Sequence, residues 1–196
     1  MTDNVYIGVI LDRSGSMSSV KDDAVGGFNE FLKEQQGQHS GTLRLTLFNT
    51  NAETIYAGPL EDCPELTNRT YVPAGMTALY DAVGLTVSEI GRELGAMQPA
   101  DRPVKVVVAI LTDGLENSST EHTKQAVKMM IEHQEEKYNW AFIFLGANMD
   151  ASAEAQAIGI RADYASSFVA DSAGTQEAYR RMGASVRSIL GEDSGY

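Results

Sequence analysis

Apolar positions along this chain follow two different periods. Residues 5–11 (VYIGVIL) form a short, nearly continuous apolar run that ends at Asp12. Residues 104–111 (VKVVVAIL) and 139–145 (NWAFIFL) repeat the pattern and end at Thr112-Asp113-Gly114 and Gly146. Runs that are apolar on both faces belong to strands buried in a parallel sheet. Residues 42–48 (TLRLTLF) and 52–57 (AETIYA) alternate more, with Asn49-Thr50-Asn51 between them. They predict a hairpin toward one edge of the sheet. The intervening segments have helical period. Val20, Ala24, Phe28, Phe31 and Leu32 share a face behind a Ser18-Ser19 cap, and Leu79, Val83, Val87, Ile90 and Leu94 share another. Val127, Met130 and Ile131 mark a third helix, Ala151, Ala155 and Ile158 a short fourth, and Ala178, Met182, Val186, Ile189 and Leu190 the last.

Buried strands alternating with amphipathic helices predict an α/β fold, a doubly wound, mainly parallel sheet with helices on both faces. In such sheets ligands bind beyond the carboxyl ends of the strands, where the strand order reverses. The residues just after the strands therefore hold the functional interest. No internal repeat, low-complexity tract or linker interrupts the pattern, so one domain is expected over residues 1–190, with 191–196 (GEDSGY) as a flexible tail. Residues 58–76, with Pro59, Pro64, Pro73 and Gly75, form the longest irregular stretch, and long loops in compact domains are often functional.

Charge narrows the partners. Of 196 residues, 15 are basic and 27 acidic, a formal net charge of −12. Nucleic acid and anionic membranes call for clustered Lys and Arg, so neither is expected as a partner. No apolar run approaches the ~20 residues of a membrane span, and the start of the chain lacks the basic, then apolar pattern of a secretory signal. Cys63 is the only cysteine. A lone thiol fits a reducing compartment, and a cytoplasmic location is expected. Cys63 itself reads as a small apolar filler.

The chemistry gathers at three strand or loop ends. The first strand runs into Asp12-Arg13-Ser14-Gly15-Ser16, a D-x-S-x-S pattern. Gly75-Met76-Thr77 places a hydroxyl before the second helix, and Thr112-Asp113-Gly114 places a carboxylate after another buried strand. Each feature has a local explanation as a cap or turn. Together, Asp12, Ser14, Ser16, Thr77 and Asp113 supply three hydroxyls and two carboxylates, without imidazole or thiolate. An all-oxygen set suits a hard cation, Mg²⁺ or Mn²⁺ with Ca²⁺ as a further option, rather than zinc.

These residues resemble the metal-ion-dependent adhesion site of von Willebrand factor A domains. The resemblance extends to residues 5–17 (VYIGVILDRSGSM), 75–83 (GMTALYDAV) and 106–117 (VVVAILTDGLEN), in that order, and residues 142–150 (FIFLGANMD) are similar to the fifth-strand region of prokaryotic members. It implies a sheet with one antiparallel edge strand. It implies that Ser14, Ser16 and Thr77 ligate the metal through Oγ, while Asp12 and Asp113 act mainly through waters. It further implies a non-enzymatic binding module whose metal is completed by an Asp or Glu carboxylate of a partner protein. Intracellular members often work in multiprotein assemblies, some with ring-shaped ATPases, so a scaffold subunit of such an assembly is an alternative.

Arg13, Gly114, Glu116, Asn148 and Asp150 are candidates for the rim of the site, with Asp81 beside them. Rim carboxylates would disfavour an acidic partner surface, but the role expected of them is helix capping or solvation. Arg13 is a candidate for an exposed contact to an acidic partner. A hydrolase using the same acidic strand end is the competing class. An aspartyl phosphatase would place a second Asp two residues after Asp12, where Ser14 stands. Neither serine lies in a G-x-S-x-G elbow, the nucleotide loops are absent, and His39, His122 and His133 form no triad-like or ligand-like pattern.

Overall fold

β1 (Asn4–Asp12) is buried along all but its first residue and forms the middle of a six-stranded sheet. The structure, a computed structural model, describes residues 4–192. The strands are β2 (Ser40–Phe48), β3 (Ala52–Pro59), β4 (Lys105–Thr112), β5 (Ala141–Ala147) and β6 (Ala165–Phe168), in the spatial order β3-β2-β1-β4-β5-β6. All neighbours run parallel except β2 and β3, which pair antiparallel at one edge, as the hairpin pattern predicts. The order reverses between β1 and β4. From β1 the chain winds outward to β2 and β3, then returns to the other side of β1 for β4, β5 and β6.

Alternate residues of β1 serve two cores. Val5, Ile7, Val9 and Leu11 face α1 (Lys21–Gln38) and α5 (Ser172–Glu192). Tyr6 and Ile10 face α2 (Leu79–Ala96), α3 (Lys124–Tyr138) and the short α4 (Ala151–Ala157). Gly8 lies between Tyr6 and Ile10 on that second face. A Cβ there would lie 3.1 Å from Ile90 Cδ1, so α2 packs close over the strand that carries the site. Among the described residues no helix is long and apolar enough to cross a membrane.

Three local expectations change. Ser18-Ser19 does not cap the first helix. Residues Gly15–Val20 form a 3-10 turn that runs directly into α1, whose first flanking residue is Val20, and the Ser18 hydroxyl donates to the Gly15 carbonyl inside the turn at 2.7 Å. β6 was not expected. Its Ala-Ser-Ser-Phe sequence has no apolar run, because a four-residue edge strand with half-exposed side chains needs none. Of the residues expected as a tail, Gly191 and Glu192 continue α5, and 193–196 lie outside the described residues.

Candidate metal centre

β1 and β4 are adjacent, and both end at the point where the strand order reverses. Asp12 closes β1 and is fully buried. Its Oδ1 accepts from the Ser14 amide at 2.6 Å, and its Oδ2 accepts from the Thr112 hydroxyl at 2.6 Å. Ser14, also buried, has its Oγ 3.0 Å from Ser16 Oγ, and Ser16 Oγ donates to Asp113 Oδ1 at 2.6 Å. One continuous chain of hydrogen bonds thus runs from Thr112 through Asp12, Ser14 and Ser16 to Asp113.

Thr77 joins this group from a different segment. A Cβ placed on Gly114 would lie 3.2 Å from Thr77 Oγ1 and 4.0 Å from Ser16 Oγ. The two hydroxyls and Gly114 therefore border one small space. The loop bearing Thr77 is fixed on three sides. Gly75 takes φ +78°, and its carbonyl accepts from the Gly15 amide at 3.0 Å. Left-handed backbone of this kind favours glycine. On the hairpin side, the Met76 amide donates to Thr50 Oγ1 at 3.0 Å, and the Ala78 amide donates to the Asn49 carbonyl at 2.7 Å. On the β4 side, Asn117 Oδ1 accepts from the Thr77 amide at 2.8 Å, and the Asn117 amide donates to the Thr77 carbonyl at 3.0 Å.

The two carboxylates are electrostatically unsettled. Burial raises the Asp12 carboxyl above its ordinary value, outweighing the Thr112 and Ser14 hydrogen bonds that lower it. Burial also raises Asp113, against the Ser16 hydrogen bond. Both are answered by neutral donors, which compensate a buried charge less well than a cation. Three hydroxyl oxygens and two carboxylates converging here match the chemistry of a hard divalent cation. Among the described residues no group of three or more His, Cys, Asp or Glu gathers as a metal site. A cation held here would depend on the hydroxyls.

Of the rim candidates, Gly114 borders this space. Arg13 is not an exposed contact residue. Its Nη2 donates to Glu53 Oε2 on β3 at 2.9 Å, and its side chain is only 18% exposed. Glu116 turns inward to the protein: Oε1 accepts from the Ser118 and Ser119 amides, while Oε2 accepts from the Ser119 hydroxyl and from the Tyr80 amide in the first turn of α2. Asp81 likewise accepts from the amides of Thr120, Glu121 and His122. Asn148, with φ 54°, accepts from the Ala170 amide, and Asp150 caps α4 by accepting from the Ala153 amide. Hydrogen bonds from backbone amides therefore account for these acidic side chains.

Three contributors carried no expectation of a role. Thr112 fixes Asp12, Asn117 clamps Thr77, and the fully buried Tyr71 donates its hydroxyl to the Asp12 carbonyl from the long irregular loop. Thr112 stands beside a recognised carboxylate, which is the one signal that could have marked it. Tyr71 and Asn117 act across 59 and 40 positions of sequence, and no local pattern announces such a contact. Cys63 is buried in the α1/α5 core, and burial pushes its thiol up to about 12, as suits a filler.

No protein-family model matches the chain, and no curated protein matches it in sequence. Solved structures do match in fold. The vWF domain of the type V pili tip protein Mfa5 from Porphyromonas gingivalis superposes with a TM-score of 0.67 at 11% identity, covering 97% of both chains. The PilB minor pilin from Streptococcus sanguinis gives 0.67 at 12% identity over 100% of this chain and 64% of its own. A von Willebrand factor type A structure from Catenulispora acidiphila gives 0.60 at 18% identity over 93% of this chain and 42% of its own. The chain thus spans less than two thirds of the latter two proteins. At these identities the likeness concerns the path of the backbone, and it agrees with the strand order and the antiparallel edge described above: the chain has the α/β fold of von Willebrand factor A domains.

Proposed function

We propose that this chain is a non-enzymatic, divalent-metal-dependent protein-binding module. The observation that carries this reading is the convergence of Asp12, Ser14, Ser16 and Asp113 through one hydrogen-bond chain, with the Thr77 hydroxyl beside it. Ser14, Ser16 and Thr77 would hold Mg²⁺, or Mn²⁺ or Ca²⁺, through Oγ, with Asp12 and Asp113 orienting that set. Hydroxyl ligands leave a cation most of its charge, so the bound metal attracts an Asp or Glu carboxylate from a partner protein. Two structural neighbours are a minor pilin and a pilus tip protein by name, and we carry over from them only that this fold serves protein assemblies. The lone, buried thiol of Cys63 supports a cytoplasmic location, which cell fractionation tests.

Titration calorimetry checks the metal. Mg²⁺ is expected to bind the wild-type chain with one-site stoichiometry, and a Ser14→Ala, Ser16→Ala double variant is expected to lose at least tenfold in affinity. Equal binding by the two proteins would sink the assignment. Non-enzymatic action is checked with p-nitrophenyl phosphate and Mg²⁺. No turnover is expected, and turnover abolished by Asp12→Ala would establish the hydrolase class instead.

A further inference from the structure

We infer that a cavity at the opposite end of the sheet from Asp12 binds a small aromatic monocarboxylate, with Arg102 taking the carboxylate and Trp140 and Tyr138 taking the ring. The cavity, of about 310 Å³, lies between the C-terminal halves of α2 and α3 and the residues that lead into β4. β4 runs from Lys105 at this cavity to Thr112 at the candidate metal centre, about 23 Å at ~3.3 Å per residue. The two sites are separate, and binding here does not depend on the metal.

Two glycines make the room. Gly91 and Gly95 of α2 both line the cavity. A Cβ on Gly91 would meet only Gln134 Nε2, at 3.8 Å, and one on Gly95 would meet nothing within 4 Å. Close packing thus demands glycine at neither position, and each is a poorer helix former than alanine. What they leave is open space bordered by Trp140, which is 6% exposed and stacked on Phe142 with ring centroids 6.2 Å apart. Tyr138 and Val104, two of the eight large apolar side chains exposed among the described residues, border the same space. A planar ring lying against these groups removes its own surface and theirs from water.

Charge sets the other end of the ligand. Arg102, Lys105 and His133 line the cavity, and among the described residues no Asp or Glu does, in a chain with 27 acidic residues to 15 basic. Among the described residues the Arg102 guanidinium donates to one group, the Met97 carbonyl, at 3.4 Å. A carboxylate would accept a shorter, charge-assisted pair of bonds from it. The C-terminal ends of α2 and α3 add about half a negative charge each, which Arg102 offsets for one anionic group and not for several. At about 310 Å³ the cavity stands at the small end of the ~300–1,000 Å³ range of small-molecule sites. The fitting ligand is therefore one ring with a short acidic arm, not a nucleotide or a polyanion.

Trp140 is the chain's only tryptophan, so its fluorescence reads occupancy directly. Phenylacetate is expected to change it saturably and to bind at least tenfold more tightly than phenylacetamide or acetate, with or without EDTA. Arg102→Gln, on the exposed segment before β4, is expected to erase the preference for the acid over the amide. Gly91→Leu is expected to fill the space and lose at least tenfold in affinity. The added Cβ has room there, so urea unfolding of this variant is expected to show stability at or above that of the wild type. No saturable response to phenylacetate, equal binding of acid and amide, an acid preference that survives Arg102→Gln, or unchanged binding in Gly91→Leu overturns the proposal. So does fluorescence that varies with protein concentration alone, which would mean that a second copy covers the cavity.

Discussion

Thr77 is held by its backbone rather than by its side chain. Its amide and carbonyl both bond to Asn117, which leaves the hydroxyl directed toward Ser16 and Gly114. Asn117→Ala removes the acceptor for an amide in a residue only 4% exposed, at a cost of about 1 kcal/mol. Urea unfolding is expected to show that loss, and Mg²⁺ titration a weakened affinity. Asn117→Asp retains an acceptor oxygen and is expected to recover most of both. A purely structural role would lower stability without touching the metal affinity. All five candidate ligating residues were legible at this scale, because each stands at the end of an apolar run or beside a glycine turn. Their supports were not. Tyr71 on the Asp12 carbonyl and Asn117 on Thr77 are contacts between distant segments, which depend on the packed positions of whole loops.

α1 and α5 lie against each other so closely that one glycine of a pair is indispensable and its neighbour is not. A Cβ on Gly27 would fall 2.3 Å from Tyr179 Cδ2, whereas one on Gly26 meets nothing within 4 Å. Alanine is the better helix former by about 1 kcal/mol. Gly26→Ala is therefore expected to stabilise by about 0.5–1 kcal/mol. Gly27→Ala forces the buried Tyr179 ring to move and is expected to destabilise by about 1–3 kcal/mol net. Thermal or urea unfolding reads both signs, and stabilisation by Gly27→Ala would contradict the packing described here. The element pattern was legible where burial is regular. β1, β4 and β5 read as continuous apolar runs, and the β2–β3 hairpin as an alternating pair. β6 escaped because its pairing with β5 comes from backbone hydrogen bonding at an edge, with side chains too polar to leave a signature. The start of α1 was misplaced because the 3-10 turn absorbed the two serines.

Across the whole molecule, the candidate ligands come from the end of β1, the loop before α2 and the end of β4, and they meet only when the sheet has formed. Metal binding as proposed would then be binding to the native state alone, and would add RT ln(1 + [Mg²⁺]/Kd) to stability. At one hundred times Kd this is about 2.7 kcal/mol. The urea midpoint is expected to rise with Mg²⁺ while the slope stays constant, since the same surface is exposed on unfolding. Because the chain carries a net charge of −12, Mg²⁺ also screens repulsion, so NaCl at matched ionic strength is the control. A midpoint shift of equal size in NaCl, or in the Ser14→Ala, Ser16→Ala variant, would reduce the effect to screening. The sequence by itself determined five of the six strands, the helices, the class of sheet and the hydroxyl-rich set of candidate ligands, because periodicity and strand-end chemistry are local properties. Only the tertiary structure decided which charges remain available. Arg13, Glu116, Asp81 and Asp150 read as a charged rim, yet each is committed to an ion pair or to backbone amides. Whether a side chain is free is fixed by what the fold brings beside it.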